Sequence, residues 1–126
     1  VRLKPDRLEN KLRHFEKIAI NAAEQCGRLD VPAVNTPLAL EAFLAQDKKA
    51  TRLLLEPGGE QSLTAARALT DIELIIGPEG GFSEREVSLA RASNCEIMRL
   101  GPRILRTETA PVAALAVLQF LYGDLS

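Results

Sequence analysis

The sequence predicts an α/β fold with a mostly parallel sheet of about five strands. Three observations lead there. Short apolar, β-rich runs alternate along the chain with segments of helical periodicity. Two of those runs end in Gly-Pro turns, Gly77-Pro78 and Gly101-Pro102, and each turn leads into a segment with a recognisable helix start. A length of 126 residues with 46% hydrophobic side chains fits one domain, residues 1–126, with a modest core.

Taken in order, Leu8, Leu12, Phe15, Ala19, Ala22 and Cys26 recur every three or four residues and predict one helix face between about Pro5 and Gly27. Pro5 and Gly27 stand where helices start and stop. The opposite side and the flank carry Arg2, Lys4, Arg7, Lys11, Arg13 and Lys17. That strip is read either as an ordinary solvated face or as a cationic face for a polyanion. His14, the only histidine, sits among these cations and is read as a surface residue.

A short strand is predicted around Pro32 to Val34, then a helix from Leu38 to Ala45. Thr51 to Leu55 reads as a strand running into the turn Glu56-Pro57-Gly58-Gly59. Ser62 to Leu69 reads as a helical segment, and Asp71 to Ile76 as a strand ending at the first Gly-Pro turn. Ser83 followed by Glu86 is a capping-box pattern and starts a helix with Val87 and Ala90 inward. Glu96 to Leu100 is the next strand, ending at the second Gly-Pro turn.

The last helix is predicted from near Thr109 to before Gly123, and it is apolar on nearly every side. Such a helix needs cover on more than one face, which predicts a homodimer through it.

Composition excludes several classes. A net charge of −1 means the whole domain is no electrostatic nucleic-acid binder, so any such contact comes from a local patch or another domain. Cys26 and Cys95 have no zinc or disulfide spacing and are expected to be reduced core thiols. No signal peptide is visible, and the longest apolar run, Ala110 to Leu118, is too short for a bilayer. A soluble, cytoplasmic protein without membrane contact is expected. Opening on Val1 and Arg2, not Met, is expected of a fragment of something longer.

The familiar fingerprints are missing: no P-loop, no dinucleotide Gly pattern, no nucleophile elbow, no metal cluster. Ligands of parallel sheets bind beyond the carboxyl ends of the strands. Here those ends carry Glu56 to Gly58, Gly77 to Gly81 and Leu100 to Arg106, with Glu79, Arg103, Arg106 and Glu108 around them. Backbone groups plus a few charges suit the orientation of a cofactor that brings its own reactivity.

Gly77 to Gly81 and the stretch Leu100-Gly101-Pro102-Arg103-Ile104-Leu105-Arg106-Thr107-Glu108-Thr109 resemble the signatures of the bacterial 16S ribosomal RNA (uracil-N(3))-methyltransferase family, in the SPOUT superfamily. Ala22 to Arg28 is similar to that family's first motif, and the resemblance spans essentially the whole chain. It implies a C-terminal trefoil knot and a homodimer with the active site at the subunit interface. S-adenosylmethionine is the implied cofactor, without metal, and the implied partner is 16S rRNA or the small ribosomal subunit. Positions matching the family's cofactor loops are Leu55, Glu56, Ile76, Gly77, Gly80, Leu100, Gly101, Ile104 and Leu105. The family's small β-barrel RNA-binding domain, which precedes the catalytic domain, has no counterpart in these residues.

The implied reaction moves a methyl group to a uracil ring nitrogen, a weak nucleophile until its proton leaves. A cation near the uracil oxygens lowers the cost of that negative charge. Arg106 is the first choice, with Arg28 second, contributed by the partner subunit. Glu79 or Glu108 is the candidate to take the proton, although helix capping or an ion pair explains either one as well. Two alternatives are a 2′-O-ribose RNA methyltransferase on the same scaffold and a non-catalytic RNA-binding or dimerisation module.

Overall fold

The computed structural model describes residues 5–46, 50–65 and 71–125. The chain divides into two compact units, Val1–Phe43 and Leu44–Ser126.

The first unit is built on α1 (Pro5–Cys26), with Asp6 in the first turn where the helix dipole favours an acid. Gly27 closes it with φ 77, so that the Arg28 N–H donates back to the Ala23 carbonyl at 2.9 Å. The covered stripe is Leu8, Leu12, Ala19 and Ala23, and only Ala23 is fully buried. Phe15, Ala22 and Cys26, predicted on the same face, are exposed. For Phe15 and Ala22 the reason is angular: the three-four repeat spreads over a wider arc than one line of contact covers. Cys26 shares the azimuth of Leu8 and is exposed as the last residue of the helix. Cys26 is therefore no core thiol.

Residues 31–39 form neither helix nor strand, so the predicted strand around Pro32 is absent. Pro32 withholds a ladder donor, and every side chain from 31 to 39 except Val34 is exposed, leaving no buried face to reward pairing. Helix α2 (Leu40–Ala45) starts two residues later than expected.

The second unit holds a four-stranded sheet of β1 (Thr51–Leu55), β2 (Gln61–Ser62), β3 (Ile72–Ile76) and β4 (Glu96–Arg99) in the order β2-β4-β1-β3. Every pair is parallel. The count among the described residues is four strands, not about five. Ser62 belongs to an edge strand followed by a 3-10 turn at Leu63–Ala65, which corrects the predicted helix there; its continuation to Leu69 lies outside the described residues.

On one face of the sheet, Leu53 and Met98 pack with Leu63 and with Ala114 and Leu118 of α4 (Ala110–Tyr122), joined by Leu55, Ile72, Leu74 and Val117. Leu54 is equally buried and, by strand alternation, points to the other face. Helix α3 (Glu84–Ala92), with Ala90 fully buried, lies against β4. Its predicted capping box is present: the Glu86 N–H donates to Ser83 Oγ at 3.1 Å, and the Ser83 N–H donates to Glu86 Oε1 at 2.8 Å. Cys95 is buried, and burial pushes its thiol pKa up; the charge of Arg52 opposes that shift and Glu73 adds to it.

Helix α4 begins without a side-chain cap, because Thr109 itself takes helical angles. The Thr109 and Ala110 N–H groups donate instead to the Arg106 carbonyl, at 3.0 and 2.9 Å. Ala114 and Leu118 enter the core, while Val112, Leu115, Phe120, Leu121 and Tyr122 stay exposed.

Candidate functional site

Parallel pairing sets the carboxyl ends of the strands level. Leu55 pairs with Ile76 on one side and with Met98 on the other, so the loops after β1, β3 and β4 leave the sheet along one edge. A pocket opens there, lined by all three loops.

The first wall is Leu55, Glu56 and Pro57. Its main chain is pinned: the Glu56 N–H donates to the Met98 carbonyl at 2.9 Å, and the Gly59 N–H donates to the Glu56 carbonyl at 2.8 Å. The Glu56 side chain faces Gly81, since a Cβ on that glycine would stand 3.9 Å from both carboxylate oxygens. Among the described residues Glu56 Oε2 is buried without a hydrogen-bond partner. A buried acceptor left unpaired costs about 1–3 kcal/mol unless a donor arrives.

The second wall is the turn from Ile76 to Phe82. The Gly81 N–H donates to the Pro78 carbonyl at 2.8 Å and closes it. A Cβ on Gly77 would sit 2.9 Å from Phe82 Cε2, so the missing side chain makes room for the ring to fold over the turn. The third wall is Leu100, Arg103, Ile104, Leu105 and Thr107, ending at Ala110. The lining is thus mostly apolar with a few charges, the composition of a small-molecule site.

Of the residues singled out in the sequence, Leu55, Glu56, Ile76, Gly77, Glu79, Leu100, Arg103, Ile104 and Leu105 line this pocket. Gly80 and Gly101 are exposed in the same turns and are not among its lining residues. Arg106 and Glu108 follow the third wall, are exposed, and face each other at 3.9 Å. Arg28 belongs to the first unit, where it pairs with Asp30 at 3.7 Å. Phe82 was missed, although an aromatic residue directly after Gly80-Gly81 marks a turn with something to cover. Among the described residues no group of three or more His, Cys, Asp and Glu is placed to hold a metal ion.

A family model for an RNA methyltransferase domain matches residues 1–119. The chain is 38% identical over 123 residues to ribosomal RNA small subunit methyltransferase E of Buchnera aphidicola subsp. Acyrthosiphon pisum, covering 91% of this chain and 46% of that protein. The protein of the same name from Bacillus subtilis is 33% identical over 138 residues, covering 98% of this chain and 54% of its own length. A crystal structure of ribosomal RNA small subunit methyltransferase E from Neisseria gonorrhoeae bound to S-adenosyl methionine matches with a TM-score of 0.90 at 36% identity. That match covers 95% of this chain and 52% of the other. The chain therefore spans about half the length of the relatives it matches.

Proposed function

The chain belongs to the RNA methyltransferase domain family, and from that premise we propose that it is the catalytic domain of an S-adenosylmethionine-dependent enzyme methylating N3 of a uridine in 16S ribosomal RNA. The observation that carries this is the pocket formed by three loops at the carboxyl edge of a parallel sheet, in a chain whose relative was solved with S-adenosyl methionine bound.

The residues present fit that cofactor. Leu55, Ile76, Leu100 and Leu105 offer apolar surface to a flat base. Glu56 Oε2, buried and unpaired, offers an acceptor to a ligand hydroxyl or amine. Gly77 leaves the turn thin enough for Phe82 to close over it. The cofactor supplies an electrophilic methyl group when bound. Everything else falls to the protein: orienting the uracil ring, stabilising its anion and accepting its proton.

We assign the anion to Arg106, with Arg28 from the partner subunit as second cation, and the proton to Glu79 or Glu108. The exposure of Arg106 beside the pocket wall supports this, because its guanidinium is available to a substrate lying over the pocket. Gly80 and Gly101 enter the assignment through their turns, not through direct lining.

The same reading includes a C-terminal trefoil knot, a cytoplasmic location and a homodimer through α4. The dimer is supported by an exposed apolar surface, Val112, Leu115, Phe120 and Leu121, on a helix with no charged residue. Sedimentation equilibrium is expected to give a dimer at micromolar concentration, and a monomer throughout would remove that part of the proposal. Among the described residues no helix is long and apolar enough to cross a membrane.

The deciding experiment is calorimetric titration with S-adenosylmethionine, followed by methylation of small-subunit RNA with and without an N-terminal RNA-binding domain from a relative. Saturable binding and N3-methyluridine in the nucleoside digest are expected. A ribose-methylated product would move the protein to 2′-O chemistry, and no cofactor binding would make it a non-catalytic module.

A further inference from the structure

Helix α1 carries a face with the chemistry of a nucleic-acid groove. Arg7, Lys11, His14 and Lys17, all exposed, fall within about a third of the helix circumference, opposite the covered stripe of Leu8, Leu12, Ala19 and Ala23. The cations span about 15 Å along the axis at 1.5 Å per residue. Glu9 and Glu16 lie outside this arc, and Asp6 and Glu24 border it only at the two ends of the helix. Among the described residues neither Arg7, Lys11 nor Lys17 makes an ion pair or hydrogen bond, although the chain as a whole is slightly acidic. A solvated helix face ordinarily mixes both signs at three- and four-residue spacings, so a run of one sign forgoes the stabilisation of opposite-charge pairs.

Apolar side chains adjoin the cations: Ile18 falls within their arc, and Phe15 lies about 40° beyond Lys11, toward Leu8. Phe15 and Ile18 are each 50% exposed, and the His14 and Phe15 rings stand 6.0 Å apart at 45°. The Phe15 ring thus stands half exposed at the edge of the cationic face. Single-stranded nucleic acid is bound by that combination: cations on the phosphates, and rings stacked on unpaired bases.

We propose that this face of α1 is a docking surface for a single-stranded segment of the RNA substrate, with Arg7, Lys11 and Lys17 on phosphates and Phe15 stacking on a base. The proposal rests on the reading of the protein as an RNA methyltransferase and adds where the RNA lies. A protein partner of acidic sequence is the competing occupant. It is disfavoured because it would leave the Phe15 ring without a stacking partner.

The test measures anisotropy of a fluorescein-labelled single-stranded oligoribonucleotide from small-subunit RNA across a salt series. The triple variant Arg7→Gln, Lys11→Gln, Lys17→Gln is expected to raise Kd at least tenfold at physiological salt. Its log–log salt slope should fall by about 2, at roughly 0.7 per phosphate contact. Phe15→Ala is expected to raise Kd about fivefold or more at an unchanged slope. The charge-keeping set Arg7→Lys, Lys11→Arg, Lys17→Arg should retain the wild-type slope. An unchanged Kd and slope in the triple variant overturns the proposal, as does polyglutamate competing as strongly as RNA. S-adenosylmethionine binding, measured separately on each variant, is expected to stay at the wild-type value. If the wild type failed to bind it, the enzymatic reading would fail, whatever the RNA result.

Discussion

Arg106→Ala is expected to lower methyl transfer by about 10²–10³ in kcat or more, the loss seen when one preorganised donor to a developing anion is removed. The affinity for S-adenosylmethionine should stay close to that of the wild type. Arg106 is not a lining residue of the pocket, and its side chain is 84% exposed. Stability should also hold. The only ion pair of Arg106 among the described residues is the exposed one to Glu108 at 3.9 Å, and such pairs contribute little. Its structural service, the carbonyl that receives the Thr109 and Ala110 N–H groups, is main chain and survives the substitution. A kcat loss with unchanged cofactor Kd and unchanged thermal midpoint therefore isolates the chemistry. Arg106→Lys keeps the charge without the planar fork and should recover only part of the rate. The assignment fails if Arg106→Ala instead loses cofactor binding and turns over normally at saturating cofactor.

The parts of this molecule that sequence could reveal are those encoded by neighbours. The capping box at Ser83 and Glu86 is a contact between residues three apart, so pattern and geometry coincide. The runs ending at Leu55, Ile76 and Arg99 are strands whose inner faces are filled by their own Leu, Ile and Met side chains. Once those strands are parallel, three loops must meet at one edge, and the pocket follows. What sequence could not reveal depends on residues far away in the chain. β2 is two polar residues, Gln61 and Ser62, and becomes a strand only because Met98 and Arg99 offer a ladder. The apolar repeat of α1 carries its period but not which part of the arc is covered, and so Phe15 and Ala22 are exposed. Arg106 and Leu105 are adjacent, yet only Leu105 lines the pocket, because side-chain direction in an irregular loop has no period to read.

Arg52→Ala is expected to cost about 3–5 kcal/mol of stability, the usual consequence of removing one partner of a buried ion pair. In the sequence this arginine looks like a stray charge in an apolar strand. In the fold it is 7% exposed, and among the described residues its guanidinium donates to Glu73, Leu44 and Gln46. Nε donates to Glu73 Oε1 at 3.0 Å, across the β1–β3 pairing in which the two residues stand opposite each other. Nη1 and Nη2 donate to the Leu44 and Gln46 carbonyls at 3.1 and 3.0 Å, closing the C-terminal end of α2, whose last carbonyls have no partner within the helix. Truncation takes one donor from Glu73 and one from each of the two carbonyls at once. Arg52→Lys supplies one point charge where a fork is needed and should fall between wild type and alanine. The double variant Arg52→Met, Glu73→Leu removes both charges together and should be more stable than Arg52→Met alone, because the surviving carboxylate, not the missing attraction, is the larger cost. Urea denaturation of the wild type, Arg52→Ala, Arg52→Lys, Arg52→Met, Glu73→Leu and the double variant checks this. If the double variant is as unstable as the sum of its single variants, the carbonyls of α2 dominate and the ion pair is secondary.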